Sequence, residues 1–404
     1  GSGLVGSEMC IRDRCKGVPK SNCLTKEQRL SLQMDEFMNR RYEFRYNTQI
    51  GEVEYRERFS FQFYFHPIDK RAQNSIMLDA QSEGIGVWDR DIDRYLHSNR
   101  VPIYNPLEEF LFHLPHWDGK DRIHALANRV PCKNPHWELL FHRWFLNMVS
   151  HWRGVDKMHA NNTSPILVGR QGTHKSTFCR EMIPPALRAY YTDSIDFSHK
   201  RDAELYLNRF ALINIDEFDQ ITLPQQGFLK HILQKPVVNL RKPHGRSVLE
   251  LQRYASFIGT SNQKDLLTDP SGSRRFICIE VTGNIDTTQP IDYEQLYAQA
   301  MHEIHHGERY WFDSEDEQIM TENNREFEQT PAMLQLFYQY FKTAQTKEEG
   351  EFLTPVEILN YLKKKSGMSL SDNKVYHFGR LLQKCGIPSK HTYKGTVYQV
   401  IKLS

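Results

Sequence analysis

The sequence lacks the features of membrane proteins, secreted proteins and zinc-cluster proteins. No apolar run approaches the roughly 18–20 residues that a membrane-spanning helix needs, and no secretion signal is recognisable, so we expect a cytoplasmic protein. The seven cysteines are scattered without a Cys-x-x-Cys pair, which argues against a zinc site and favours reduced thiols. With a net charge of only +2, the protein as a whole does not attract nucleic acid, so nucleic-acid binding would have to come from local patches of basic residues.

The length and composition of the chain are typical of a globular protein with several domains. A chain of 404 residues can hold two or three domains, and its 39% hydrophobic and 25% charged residues are ordinary for such proteins. The motifs that point to a chemistry are concentrated in the middle of the chain.

The stretch Gly-Arg-Gln-Gly-Thr-His-Lys-Ser-Thr at 169–177 follows the apolar run 166–168 and opens into a segment of helical character. This strand, glycine loop, Lys-Ser, helix order is typical of a loop that binds nucleotide phosphates. We expect Lys175 to reach the β- and γ-phosphates of ATP and the Ser176 hydroxyl to bind Mg²⁺. The predicted nucleotide-binding residues are Gly169, Gln171, Gly172, Thr173, His174, Lys175, Ser176 and Thr177.

His174 departs from the usual pattern, in which glycine precedes the lysine. A left-handed backbone costs a non-glycine residue roughly 1–2 kcal/mol, although histidine tolerates it better than most residues. The departure leaves open a weakened nucleotide site, a slightly remodelled loop, or a Gly-rich turn of no special function.

An acidic pair follows the next long apolar run, Arg-Phe-Ala-Leu-Ile-Asn-Ile at 209–215. We expect Asp216 to coordinate Mg²⁺ together with Ser176, and Glu217 to orient the attacking water. The alternative is an ordinary acidic turn after a buried strand.

Two further apolar runs also end or begin with polar residues. The run 254–259 leads to Asn262, a candidate for holding the lytic water, and Arg274 and Arg275 precede the run 276–281. Paired arginines in that position are expected to act on the γ-phosphate of a neighbouring subunit. The alternative is two solvated surface charges.

These motifs together resemble the virulence-associated E family of mobile-element proteins, whose ATPase core is similar to superfamily 3 helicases. The matching segments are the loop 169–177, the acidic strand end 215–217, Phe-Ile-Gly-Thr-Ser-Asn at 257–262, Gly-Ser-Arg-Arg-Phe at 272–276, and Leu-Pro-His-Trp-Asp-Gly at 114–119.

The resemblance implies an α/β fold with a P-loop NTPase core, an AAA+ or superfamily 3 helicase-like parallel sheet covered by helices. It further implies a DNA-dependent ATPase, expected to be a replicative helicase of a phage, plasmid or genomic island. Such a protein uses ATP and Mg²⁺ and self-associates into a ring, expected to be hexameric. The alternatives are a nucleotide-switched initiator with little turnover, which His174 favours, and a phage-interference ATPase.

A basic segment lies between the acidic pair and Asn262. In superfamily 3 helicases this interval carries a hairpin that grips DNA, so the resemblance makes four residues candidate DNA contacts: Arg241, Lys242, His244 and Arg246. Phosphate contacts of this kind would be independent of DNA sequence and sensitive to salt. The alternative is an exposed basic hairpin without such a role.

The chain is expected to divide into four parts. Residues 1–14 fit nothing that follows and are interpreted as a non-native, adaptor-derived segment, so that an upstream domain, such as the primase-like module of relatives, would be missing. Residues 15–130 are predicted to form an accessory α+β or helical region, and 131–328 the ATPase domain. Residues 333–404 are predicted to form a winged-helix-like domain that binds DNA, or alternatively binds protein or is purely structural.

Overall fold

A computed structural model describes residues 24–403 apart from 62, 155, 157, 241–248, 268–269, 330–331, 344–349, 368–374 and 394. The chain divides into two compact units, one ending at Leu114 and the other beginning at Pro115. Each unit is described by itself.

The first unit packs helices against a small sheet with the strand order β3-β2-β1-β4. Its elements are α1 (Lys26–Arg41), β1 (Tyr42–Asn47), β2 (Glu52–Glu57), β3 (His66–Pro67), α2 (Lys70–Ser82), α3 (Asp89–Leu96), β4 (Ile103–Tyr104) and α4 (Pro106–Phe112). Thr25 caps α1, since its hydroxyl accepts from the Gln28 amide at 3.2 Å and the Gln28 side chain accepts from the Thr25 amide at 2.9 Å. Phe37, Met38 and Tyr42 belong to the core between helices and sheet.

The second unit is built on a five-stranded parallel sheet with the order β11-β5-β10-β7-β6. The strands are β5 (Ser164–Val168), β6 (Tyr191–Thr192), β7 (Leu212–Ile215), β10 (Ser256–Ser261) and β11 (Phe276–Glu280). Every residue of β5, β7 and β10 is buried, which explains why these strands read as mostly apolar runs without an alternation of apolar and polar residues. The fold is therefore mixed α/β with a parallel sheet, as the sequence predicted.

The direction of chain progression reverses between β5 and β10, which lie side by side in the sheet. The chain leaves β5 toward β6 at one edge and leaves β10 toward β11 at the other edge, beyond β5. In open α/β sheets, a crevice forms outside the carboxyl ends of the strands at such a reversal, and ligands bind there.

Helices precede, connect and follow the strands of this sheet in the chain. They are α5 (Arg122–Ala127), α6 (Trp137–Trp152), α7 (Lys175–Glu181), α8 (Lys200–Arg209), α9 (Leu223–Leu233), α10 (Tyr293–His305) and α11 (Ser314–Asn323), with short 3₁₀ turns at Pro185–Tyr190, Phe218–Gln220, Pro270–Arg275 and Asn324–Phe327. Helix α6 is buried on nearly every side and contributes three fully buried tryptophans, Trp137, Trp144 and Trp152.

An antiparallel pair of strands, β8 (Val237–Leu240) and β9 (Leu249–Gln252), lies between α9 and β10 in the chain, and Val238 of β8 is buried in the core beside the parallel sheet. Arg253, directly after β9, is completely buried. Its guanidinium donates to the carbonyls of Leu233 at 2.7 Å, Ala255 at 2.9 Å and Asn161 at 2.9 Å, among others. Arg253 therefore fastens the base of the strand pair to the end of α9 and to the parallel sheet.

The C-terminal part of the second unit consists of helices and short antiparallel strands. These are α12 (Ala332–Tyr340), β12 (Phe341–Thr343), β13 (Glu351–Leu353), α13 (Pro355–Ser366), α14 (Val375–Lys384), β14 (Ser389–Thr392) and β15 (Gly395–Lys402). Strands β12, β13 and β14 all pair with β15. Phe337, Leu362 and Phe378 lie in the core of this part.

Cys179 and Cys278 are fully buried, and burial raises the pKa of both thiols. Within the described part of the chain, no helix combines the length and the apolar character needed to cross a membrane.

Candidate functional site

Strands β5, β10 and β7 lie side by side, and the residues that follow them form one cavity of about 300 Å³. The cavity is lined by Gln171, Gly172, Thr173, His174, Lys175, Ser176, Thr177, Asp216, Glu217, Thr260 and Asn262. The structure thus brings together most of the predicted nucleotide-binding residues, the acidic pair and Asn262, at the point where chain progression through the sheet reverses.

The loop between β5 and α7 has an unusual backbone. Gly172 has φ 82°, and His174 is left-handed with φ 64° and ψ 22°. Glycine adopts such angles without steric cost, whereas histidine does so against the repulsion of its own Cβ. Left-handed residues interspersed with right-handed ones direct successive N–H groups inward, a concavity that suits anions such as phosphate.

Gly169 begins this loop and is closely packed against the chain after β11. A Cβ atom at this position would lie 3.0 Å from the carbonyl oxygen of Val281 and 3.2 Å from its Cβ. The Gly169 amide also donates to the Ser261 carbonyl at 3.0 Å. The absence of a side chain therefore lets the start of the loop lie close to the neighbouring strands.

Lys175 lies at the base of the cavity with 7% of its surface exposed. Its ammonium donates to the carbonyls of Gly169 and Arg170, both at 2.8 Å, and to the Asn262 side-chain oxygen at 3.3 Å. Burial lowers the pKa of Lys175, and the negative charge of Asp216 opposes that shift. The ammonium is thus held among oxygen atoms at the start of α7.

Ser176 and Asp216 meet across the cavity, because the Ser176 hydroxyl donates to the Asp216 carboxylate at 2.9 Å. The Thr260 hydroxyl, from the end of β10, donates to the same carboxylate oxygen. A hydroxyl and a carboxylate are the hard oxygen ligands that Mg²⁺ prefers, and Mg²⁺ commonly takes only one or two such protein ligands beside phosphate and water. The two residues predicted for Mg²⁺ therefore fit that ion.

Glu217 adopts a left-handed backbone with φ 52° and ψ 53°. Among the described residues, only Glu217 and His174 have a positive φ without being glycine, and both line the cavity. Such conformations cost of order 1–3 kcal/mol and concentrate at functional sites.

Asp219 and Thr260 complete the site and were not assigned a role from the sequence. The Asp219 carboxylate accepts from the Ser261 hydroxyl at 2.8 Å and from the Asn262 amide at 3.3 Å, which fixes the end of β10. Aspartate in a turn and threonine in a strand are too common to give a signal, so only the strand pairing reveals them.

The predicted arginines lie away from this lining. Arg274 is exposed and pairs with Glu317 of α11 at 2.9 Å, while Arg275 is partly buried, and neither lines the cavity. Both belong to a 3₁₀ turn instead of an irregular loop. The candidate DNA contacts, Arg241, Lys242, His244 and Arg246, lie outside the described residues, in the segment between β8 and β9.

Comparison with known proteins gives two family matches. A family model described as the virulence-associated protein E-like domain matches residues 111–329, more than half of the chain. A model for a domain of unknown function, described from a B. Theta gene, matches residues 330–400. No curated protein matches the chain.

Among solved structures, the chain is similar to the apo structure of the NrS-1 C terminal region. Identity is 12%, coverage is 92% of this chain and 98% of that chain, and the TM-score is 0.46. The A form apo structure of the same region gives 12% identity, 92% and 99% coverage and a TM-score of 0.44.

Proposed function

Because this chain belongs to the virulence-associated protein E-like domain family, we propose that it is a DNA-dependent ATPase that moves on or unwinds DNA during replication of a mobile element. The proposal includes a P-loop NTPase core of the AAA+ or superfamily 3 type in residues 131–328. It also includes an accessory region in 15–130, a winged-helix-like domain in 333–404 and a cytoplasmic location.

One observation carries the proposal more than any other. Three side chains meet beside the glycine-containing loop at the carboxyl edge of the parallel sheet, those of Lys175, Ser176 and Asp216. The Ser176 hydroxyl lies 2.9 Å from the Asp216 carboxylate, and the Lys175 ammonium lies 3.3 Å from the Asn262 side-chain oxygen. A cation, an inward-facing set of amides and two hard oxygen ligands in one cavity are the groups that a nucleoside triphosphate requires.

Each residue has a distinct role in hydrolysis. Lys175 exchanges its contacts with the loop carbonyls for contacts with the β- and γ-phosphates, and Glu217 orients the attacking water. Asn262 holds that water beside the γ-phosphate. Ser176 and Asp216 would hold Mg²⁺, which when bound neutralises charge on the phosphates.

The remaining parts of the proposal concern DNA and assembly. Arg241, Lys242, His244 and Arg246 grip the DNA backbone, a contact that depends on salt and not on sequence. Subunits assemble into a hexameric ring, in which Arg274 or Arg275 acts on the nucleotide of the neighbour. A primase-like module on a separate or longer chain is the expected replication partner.

The backbone of His174 favours a second candidate, a nucleotide switch with little turnover. A side chain at a left-handed position beside the phosphates restricts how far the loop can adjust during the reaction. In this function the protein binds ATP tightly and changes its DNA affinity without rapid hydrolysis.

The test is to measure ATP hydrolysis with and without single-stranded DNA in the unaltered chain, Lys175→Ala and Lys264→Ala. Lys264 is a matched control, because it is an exposed lysine paired with Glu280 at 2.6 Å and does not line the cavity. We expect turnover stimulated by DNA that vanishes in Lys175→Ala and persists in Lys264→Ala, with all three chains unfolding at similar temperatures.

Other outcomes separate the candidates. Equal turnover in Lys175→Ala and the unaltered chain would exclude this cavity as the hydrolytic site. Tight ATP binding without turnover, with or without DNA, would replace the motor with the nucleotide switch.

A further inference from the structure

A second cavity, of about 340 Å³, lies between the chain before the phosphate-binding loop and the chain after β11. One wall comes from the end of α5 and the residues after it, including Leu126 and Asn128. The other wall comes from the segment leading into α10, including Asp286, Pro290 and Ile291. Two segments about 160 residues apart thus form one concave site.

Hydrogen bonds hold the two walls at a fixed separation. The Arg129 guanidinium donates to the carbonyls of Gln289 at 2.9 Å and Pro290 at 3.2 Å, and the Asp286 amide donates to the Arg129 carbonyl at 3.2 Å. At the other end, Arg122 donates to the Asp292 carboxylate at 3.1 Å. The cavity is consequently preformed, which lowers the entropy cost of binding a ligand.

A backbone hydrogen bond links the wall of this second cavity to the loop that lines the first cavity. The Ile285 amide donates to the Thr173 carbonyl at 3.1 Å. Thr173 lines the first cavity and Asp286, the residue after Ile285, lines the second. Because consecutive Cα atoms are about 3.8 Å apart, the two cavities are neighbours within the reach of one extended small molecule.

We propose that the second cavity holds the nucleoside, the base and ribose, of the nucleotide whose phosphates lie over the loop. The inference rests on the proposed nucleotide-binding function and extends it to the part of the ligand that the sequence motifs do not address. Leu126, Pro290 and Ile291 offer apolar surface to the faces of a planar base. Asn128 and Asp286 offer polar groups to its edge or to ribose hydroxyls.

The proposal also assigns a role to the Arg129 clamp. Arg129 bonds to backbone carbonyls of the facing wall instead of to a carboxylate, so it acts as a positioning residue that keeps the base between the two walls. The nucleoside then contacts both the chain before the loop and the chain after the sheet, and its binding stabilises their apposition.

The experiment compares ATP with inorganic tripolyphosphate, which offers the same phosphates without a nucleoside. Ala125 is exposed and lines the second cavity, so Ala125→Trp fills that cavity without disturbing the core. Ala186→Trp is the matched control, because Ala186 is exposed in the 3₁₀ turn Pro185–Tyr190 and lines neither cavity. Affinities are measured by isothermal titration calorimetry with Mg²⁺ present.

We expect Ala125→Trp to weaken ATP binding by at least tenfold, to about the affinity for tripolyphosphate, while tripolyphosphate binding stays the same. Lys175→Ala should weaken the binding of both ligands, and Ala186→Trp of neither. The nucleoside site would be overturned if Ala125→Trp bound ATP with unchanged affinity while Lys175→Ala bound neither ATP nor tripolyphosphate. That result would leave the proposed nucleotide-binding function standing. Absence of binding of both ligands to the unaltered chain would overturn both proposals.

A labelling experiment on the unaltered chain keeps the inference testable if Ala125→Trp does not fold. Photolysis with 8-azido-ATP is expected to label peptides containing residues 122–129 or 286–292, with protection by excess ATP. Protected labelling confined to other peptides would contradict the assignment.

Discussion

His174→Gly tests whether the left-handed residue of the loop between β5 and α7 is a source of strain. With φ 64° and ψ 22°, the His174 backbone lies where only glycine is free of repulsion from a Cβ atom. We therefore expect the substitution to stabilise the protein, although replacing a residue by glycine usually does the opposite.

The expected magnitude follows from two opposing effects. Removing the Cβ at a left-handed position relieves roughly 1–2 kcal/mol, whereas the greater freedom of glycine in the unfolded chain costs about 0.5–1 kcal/mol. The free energy of unfolding should thus rise by roughly 0.7 kcal/mol, within a range of about 0–1.5 kcal/mol. ATP affinity should rise or stay the same, because a glycine loop closes on phosphate without a side chain in the way.

Urea unfolding of His174→Gly is best compared with Arg180→Gly, a substitution within α7, the helix that begins directly after His174. Arg180 is exposed and has an ordinary helical backbone, so glycine there should lower the free energy of unfolding by about 1 kcal/mol. His174→Val extends the series in the other direction, because a β-branched residue tolerates a positive φ least.

The same sign of change for both glycine substitutions would refute the reasoning. A fall of about 1 kcal/mol in His174→Gly would mean that the histidine side chain makes a stabilising contact that outweighs the backbone strain. A rise in stability accompanied by loss of ATP binding would show that the side chain itself serves the ligand.

Three further predictions concern packing and buried charge. Gly169→Ala should lower stability by about 1–3 kcal/mol and weaken nucleotide binding, because the new methyl group meets the Val281 carbonyl; wild-type values in both assays would contradict the close approach. Arg253→Ala should lower the free energy of unfolding by about 3 kcal/mol or more, since several buried carbonyls lose their donor, whereas loss of the exposed Arg274 pair should cost under about 1 kcal/mol. Burial lowers the pKa of His151 from its usual 6.5 to about 3, so the unfolded chain binds a proton between those values that the folded chain does not. Stability should fall by up to about 1.4 kcal/mol per pH unit as pH decreases through that window, and His151→Gln should remove that share of the slope in urea titrations at several pH values.

The sequence was sufficient to locate the buried strands and the residues at their ends. Strands β5, β7, β10 and β11 are mostly apolar because side chains on both faces of the sheet are buried. Polar residues directly after such runs had to lie at the carboxyl edge of the sheet, which is why Lys175, Asp216 and Asn262 could be grouped in advance. Their roles in hydrolysis stay predictions.

Other features could not be predicted because they depend on pairing between distant segments. Nothing local in the sequence indicates that β10 inserts between β5 and β7, yet that insertion brings Thr260 to Asp216. The second cavity likewise depends on hydrogen bonds between Arg129 and a segment about 160 residues later. The left-handed conformation of Glu217 has no sequence signal, since glutamate is not a residue that favours it.

Arg253 has a consequence for how the protein opens. Its guanidinium bonds to Asn161 before β5, to the end of α9 and to Ala255 before β10, so the full set of bonds exists only when these three segments are assembled. Loss of any one segment would leave the buried guanidinium of Arg253 without part of its acceptors, which makes partial opening costly. Amide hydrogens of β5, α9 and β10 should therefore exchange with solvent in one cooperative event, because these segments form a single folding unit. The strand pair β8–β9 is attached to this unit through Arg253.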